Sequence, residues 1–273
     1  MCERYSYRSA DLVIAANESF RRIAIERGGC RASNVVVVRN ASALPHVTSL
    51  TPAPEVKMGR RYLLAYVGVM GVQDGVEYAL HALHKLIHER GRQDVTLVLM
   101  GAGSDVPALR ALTRELRLDG YVTFAGWLLP HRVAQSLAVA DVGLSPEPHN
   151  ALNERSTMMK VMDYMAMGLP VVAFDLAETR YTAQEAALYA APNSVEDFAN
   201  KIEVLLESSE LRFRMGGVGR IRAQGPLSWE RSRQQLLQAY ETLLDKRGVH
   251  PHRTSPAADS GARASEDRAL EHA

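Results

Sequence analysis

From residue 62 onward the chain repeats one pattern, a short apolar run, a glycine-bearing turn and a helical stretch, and nothing else in it limits the fold as much. Residues 62–67 are the first run and lead into Gly68-Val69-Met70-Gly71; a helix is predicted over about 75–90. The run 95–100 ends at Gly101-Ala102-Gly103, and a second helix reaches about Leu118. Residues 121–124, a helix near 130–139 and the run 140–145 follow. After 171–174 and 188–190 come helices near 195–207, 209–216 and 228–246. Runs this continuously apolar suit strands buried on both faces, and the helices between them suit the crossovers of a parallel sheet. The expected class is α/β: a doubly wound parallel sheet, Rossmann-like, whose ligands sit beyond the carboxyl ends of the strands.

One stretch, residues 153–178, concentrates the chemistry. It opens on polar and hydroxyl-bearing residues, becomes a Met-rich amphipathic helix, stops at Gly168-Leu169-Pro170 and enters the strand Val171-Val172-Ala173-Phe174. Ser156 or Thr157 is the expected N-cap, Gly168 the residue just past the helix, and Pro170 bars continuation. A helix start gathers unpaired N–H groups and the positive end of the macrodipole, which suits an anion. Arg155 and Lys160 add positive charge there, and Asp163 lies about one turn beyond Lys160. The five methionines from Met158 to Met167 read first as core packing rather than as a pocket.

The same stretch carries a family resemblance. Asp163-Tyr164-Met165-Ala166-Met167-Gly168-Leu169-Pro170-Val171-Val172 resembles the "EAMAxGxPVV" signature of the retaining glycosyltransferases of family 4, which have the GT-B fold. The resemblance implies that the chain is the C-terminal, donor-binding half of such an enzyme, and that Asp163 binds the donor ribose. The first glutamate of the family's E-x7-E pair falls at Arg155, beside Glu154. Gly68-Val69-Met70-Gly71-Val72-Gln73-Asp74-Gly75 lies where the family has "GRLxxxKG", so Val69 and Asp74 replace its two diphosphate-binding cations. The backbone of Gly68, Val69, Met70 and Gly71 remains a candidate for the diphosphate. Arg155 and Lys160, with Ser156 and Thr157, are expected to supply the missing charge and hydrogen bonds from the facing helix. Val122-Thr123-Phe124-Ala125-Gly126-Trp127 resembles "VxFxGxV", which makes Phe124 and Gly126 secondary candidates beside the nucleotide base. Ala140-Asp141-Val142-Gly143-Leu144-Ser145-Pro146 resembles "ADVxxxPS". Glu178 and Arg180, after the next strand, are secondary candidates whose plainer reading is a solvated loop.

The resemblance also suggests a division of the chain. Residues 1–46 match the end of the family's N-terminal acceptor domain, with a strand at 9–15, a helix capped by Asn17 and closed by Gly28-Gly29, and a strand at 35–38. On the plainer reading those pieces complete a single sheet. Residues 47–60 read as a linker, 61–227 as the donor domain, 228–247 as a terminal helix and 248–273 as a disordered tail poor in aliphatic residues. Relative to the family most of the first domain is missing, so the activity of the chain alone is open. The expected reaction is transfer of a sugar from a nucleoside diphosphate sugar to an acceptor hydroxyl, the acceptor being a glycan, lipid or small molecule. A separate chain bearing the N-terminal domain is a further candidate partner. The alternative is a non-catalytic nucleotide-sugar-binding or interaction module.

Composition removes several other classes. A net charge of +1 leaves no electrostatic footprint for nucleic acid. The nine histidines and two cysteines form no Cys/His cluster, so no metal or other cofactor is expected, and Cys2 and Cys30 read as reduced thiols. Gly-x-Ser-x-Gly, Walker A and CxxC sequences are absent. No apolar run approaches the roughly 20 residues that span a bilayer. A cytoplasmic location is expected, with peripheral membrane attachment as the variant common in such enzymes.

Overall fold

The computed structural model describes residues 2–44 and 51–248. Most of the proposed tail and the segment 45–50 of the proposed linker lie outside the described residues. The chain begins with helix α1 (Cys2–Ser9), which sequence patterning did not anticipate. Strand β1 (Val13–Ala15), helix α2 (Glu18–Glu26) and strand β2 (Val35–Val37) follow. β1 and β2 pair in parallel as a separate two-stranded sheet, so these pieces do not complete the main sheet. Their small core is Ala15, Ala24 and Val35, with Tyr7, Phe20 and Cys30 packed around it. The expected strand from residue 9 shortens to three residues because α1 runs as far as Ser9, and Ile14 of β1 is 43% exposed. Asn17 caps α2 as expected, its Oδ1 accepting the Phe20 N–H at 2.8 Å.

The larger body alternates strand and helix without a break: β3 (Tyr62–Val67), α3 (Val76–His84), β4 (Val95–Met100), α4 (Val106–Glu115), β5 (Val122–Gly126), α5 (Pro130–Leu137) and β6 (Val142–Ser145). Then come α6 (Met159–Ala166), β7 (Val171–Phe174), α7 (Ala177–Ala183), β8 (Ala187–Ala190), α8 (Val195–Glu207), α9 (Ser209–Gln224) and α10 (Trp229–Lys246). The six strands are parallel in the order β5-β4-β3-β6-β7-β8. Strand order reverses between β3 and β6, and the crevice at such a switch point is where a doubly wound sheet receives a ligand. Tyr164 of α6 spans that junction, accepting the Val67 N–H and donating to the Leu144 carbonyl, both at 3.0 Å.

Residues 51–60 are not a free tether. The turn Pro54–Lys57 lies against the amino ends of β3 and β6, where Lys57 pairs with Asp141 at 2.9 Å. The same carboxylate accepts the Leu63 N–H at 2.9 Å, so Asp141 is a joint in the scaffold.

Helix α6 ends as expected. Gly168 lies just past it in the left-handed region, and the N–H groups of Gly168 and Leu169 return to the carbonyls of Met165 and Tyr164 at 3.0 and 2.9 Å. Its start differs: Met158 holds the N-cap position without a side-chain cap, and Asn153–Arg155 forms a separate 3-10 turn. Ser156 instead donates to the Leu152 carbonyl at 2.8 Å. Helix α9 runs through glycines that read as breakers, because α9 lies directly on the end of α6. A Cβ on Gly216 would stand 2.0 Å from the Gly168 carbonyl oxygen. Three α9 arginines then take up carbonyls at helix ends that would otherwise lack donors: Arg212 those of Leu205 and Leu206, Arg220 that of Met167, and Arg222 those of Tyr181 and Thr182.

Candidate functional site

The turns after β3 and β4 are packed backbone to backbone. Gly68 N–H donates to the Met100 carbonyl at 2.9 Å, and Met70 N–H to that of Ala102 at 3.0 Å. A Cβ on Gly103 would stand 2.2 Å from the Met70 carbonyl oxygen. Gly101-Ala102-Gly103 therefore exists first to let one turn lie on the other. Val69 is exposed at the rim, whereas Met70 is buried in the core, so only its backbone can face a ligand. Asp74 folds back on its own turn and accepts the Gly71 N–H at 2.9 Å. Burial holds its carboxyl above the usual range, against the pull of that hydrogen bond and of Lys160.

Lys160 enters this turn from the first helical turn of α6. It is 9% exposed, its ammonium lies 5.0 Å from the centre of the Tyr66 ring, and a Cβ on Gly68 would stand 3.4 Å from its Nζ. Its partner is Glu147, in the loop after β6, to which it is hydrogen-bonded as a buried ion pair. Burial and the nearby charges of Glu147 and Asp74 push the Tyr66 phenol up, so it stays protonated and donates to the Val69 carbonyl at 2.5 Å. Asn153, also buried, ties the loop after β6 to the turn after β3 through the carbonyls of Pro148 and Gln73, both at 2.9 Å. Glu147 and Asn153 did not emerge from sequence reasoning. The available signal was Pro146-Glu147-Pro148, a carboxylate between two prolines at the carboxyl end of a central strand.

The remaining candidates are spread more widely. Arg155 turns its guanidinium to the Ala151 carbonyl at 2.8 Å on the exposed side of its loop, and no hydrogen bond among the described residues joins it to Lys160. Asn17 reaches the same loop from the N-terminal unit, donating from Nδ2 to the Arg155 carbonyl at 2.9 Å and to Thr157 Oγ1 at 3.0 Å. Glu178 is buried against that unit too: it accepts the Ser19 N–H at 3.1 Å and pairs with Arg39 at 3.4 Å. Its surroundings join two parts of the chain, and the expected solvated loop is absent. Arg180 points elsewhere, held bidentately by Asp175 at 2.7 and 2.6 Å and stacked on Tyr189. Phe124 packs under Arg110, and the exposed Gly126 offers its carbonyl to the Gly101 N–H at 2.7 Å. Between the turns after β3, β4 and β5 lies a cavity of about 290 Å³, lined by Gly68, Val69, Met100, Gly101, Trp127 and Leu128 among others.

Asp163 accepts the Ser42 hydroxyl at 2.6 Å, beside a cavity of about 140 Å³ lined in part by Ser42, Met162 and Trp229. Burial raises its pKa above the ordinary 3.8, outweighing Ser42 and the charge of Lys160. The folded chain therefore binds this proton more tightly than the unfolded one, and the stability contributed here falls as pH rises through the elevated pKa. Asp163→Asn removes the titration. The variant is expected to melt higher than the parent at neutral pH and to lose that advantage on acidification towards the ordinary carboxylate range. Scanning calorimetry across that range checks it; a parent that stays the more stable at neutral pH would contradict it.

A family model described as "Glycosyl transferases group 1" matches residues 61–208. O-antigen chain mannosyltransferase B of Escherichia coli is 22% identical over 245 residues, covering 87% of this chain and 62% of that protein. MMP alpha-(1->4)-mannosyltransferase of Mycolicibacterium hassiacum is 29% identical over 173 residues, covering 62% of this chain and 40% of that protein. The chain thus spans between 40% and 62% of the length of these curated relatives. Among solved structures, sucrose-phosphate synthase from Thermosynechococcus elongatus superposes with a TM-score of 0.71 at 22% identity, over 89% of this chain and 61% of that one. Anabaena Alr3699/HepE in complex with UDP superposes with a TM-score of 0.70 at 18% identity, over 88% of this chain and 66% of that one. These likenesses establish the fold: the six-stranded sheet and its helices match those of GT-B glycosyltransferases. No helix among the described residues is long and apolar enough to cross a membrane.

Proposed function

This chain belongs to the glycosyl transferases group 1 family, and we propose that within it the chain binds a nucleoside diphosphate sugar as the donor half of a retaining, family 4-like transferase. One observation carries the reading: a buried lysine ammonium faces a glycine turn at the switch point between β3 and β6. An ammonium and a tight backbone turn are what a diphosphate requires, and the dry surroundings strengthen the attraction. In this reading Lys160 and the Val69 N–H, the one N–H of the Gly68–Gly71 turn without a hydrogen bond among the described residues, hold the diphosphate, and the apolar cavity beside Trp127 takes the base. Asp163 takes the ribose hydroxyls through its second oxygen, which has no hydrogen bond among the described residues. The bond between the anomeric carbon and the diphosphate oxygen breaks, a bond to the acceptor oxygen forms, and the acceptor proton is released. Charge on the departing diphosphate is met by Lys160 and the Val69 N–H, with no resident metal in the scheme. The acceptor, a hexosyl specificity and the cytoplasmic location belong to the same proposal.

A binding module without transfer is the second reading, favoured by Val69 and Asp74 at the turn, where neither supplies a cation. Calorimetric titration with UDP, GDP and ADP and their sugar conjugates tests the donor site, and release of sugar to an acceptor or water separates the two readings. Selective binding of one nucleotide is expected; UDP is the first to try, since Alr3699/HepE was solved with it. A folded chain that binds none of them would sink the donor-site reading.

A further inference from the structure

We propose that Glu147 is a positioning residue for the donor diphosphate, holding the Lys160 ammonium against the Gly68–Val69 turn so that its free donors meet the phosphate. The inference rests on the donor-site reading above and adds to it a residue that none of the sequence motifs marks.

Glu147 is 1% exposed, and its two oxygens are separately engaged. Oε1 takes the Lys160 ammonium, and Oε2 accepts the Ser145 hydroxyl at 2.5 Å. Ser145 is the last residue of β6 and itself buried, so the carboxylate is fixed to the central sheet. Beyond Lys160 the contacts continue: the ammonium lies over Tyr66, and Tyr66 donates to the Val69 carbonyl. The series Ser145, Glu147, Lys160, Tyr66, Val69 thus crosses the switch point from the end of β6 to the turn after β3. A lysine is a point charge on a flexible stem, and its direction has to be set by something else. An ammonium has three donors, so one can stay on Glu147 while others meet an incoming phosphate. Protein kinases fix their phosphate-binding lysine with a glutamate in the same way. A pair serving packing alone has no such need of this location, since an apolar pair of similar volume often packs as stably.

The test uses the full chain and its Glu147→Gln, Glu147→Asp, Lys160→Met and Glu147→Gln/Lys160→Met variants, titrated with UDP, GDP and ADP and, by competition, with uridine, guanosine and adenosine. For the preferred nucleotide, Glu147→Gln is expected to weaken diphosphate binding by about tenfold, the scale of one charge-assisted hydrogen bond. Nucleoside binding should stay within about twofold, because the base site is not touched. Glu147→Asp should recover part of the loss, and Glu147→Gln should cause no further loss in the Lys160→Met background. Equal losses for nucleoside and diphosphate would reduce Glu147 to a structural role and overturn the proposal. Tighter diphosphate binding by Glu147→Gln would also overturn it, by making Glu147 a competitor for Lys160. If Glu147→Gln fails to fold, the comparison passes to Glu147→Asp, whose smaller loss should still fall on the diphosphate and not on the nucleoside; equal losses there overturn the proposal in the same way. A wild-type chain that binds no nucleotide overturns the donor-site reading and this one with it, whereas the other contrary outcomes overturn this one alone.

Discussion

Lys160→Met is expected to lower the stability of the chain by about 3 to 5 kcal/mol, the range for removing one partner of a buried ion pair. The cost arises less from the lost attraction than from what stays behind. Glu147 is 1% exposed, and without Lys160 its carboxylate keeps only the Ser145 hydroxyl. The double variant Glu147→Gln/Lys160→Met should recover most of the loss in urea denaturation, because no buried charge is then left unpaired. Diphosphate binding should not return with it, since the cation at the Gly68 turn is gone in both variants. Stability and binding therefore separate across the two variants, so a binding defect from unfolding can be told from the loss of a ligand. A Lys160→Met chain as stable as its parent would mean that water reaches the pair and that the site is not the dry one described above.

The second large effect belongs to Gly101→Ala. A Cβ there would stand 1.8 Å from the Gly68 carbonyl oxygen, and the Gly101 φ of +139° is one that other residues rarely adopt. The obstruction is backbone, which cannot rotate away as a side chain would, so the turns after β3 and β4 must separate. A loss of about 3 kcal/mol or more is expected, combining backbone strain with overpacking. Gly120→Ala is the control: nothing lies within 4 Å of its Cβ, and the change should stay within about 0.5 kcal/mol. Gly101→Ala should also widen the cavity beside Trp127 and weaken any nucleotide bound there. If the two variants melt alike, the contact between the turns is not what keeps glycine at position 101.

Much of the architecture can be read before any coordinates are seen. The strands of the main sheet are nearly uniform apolar runs, and the helix at 159–166 ends at Gly168-Leu169-Pro170, where the expected carbonyl contacts occur. Its beginning is harder to read, because Ser156 and Thr157 are both good caps locally, yet their hydroxyls are taken by Leu152 and by Asn17 from a distant segment. Arg155 and Lys160 look alike in sequence as cations at a helix mouth, but only Lys160 faces the Gly68 turn. Glu178 reads as a surface carboxylate because its partners, Ser19 and Arg39, lie far away along the chain.

The sequence by itself determined the local and periodic part: which runs are strands, that Gly168-Leu169-Pro170 stops a helix, and that the strands run parallel with helices between them. Those outcomes depend on neighbours a few residues apart, which any stretch of sequence contains. Tertiary structure alone decided which charges meet. Strand order places β3 beside β6, and so brings Lys160, Glu147 and the Gly68 turn together. The same packing leaves Arg155 on the outside and gives Asp163 to Ser42. Electrostatic pairing acts through space and depends steeply on burial, and neither distance nor burial is written in the spacing of residues along a chain.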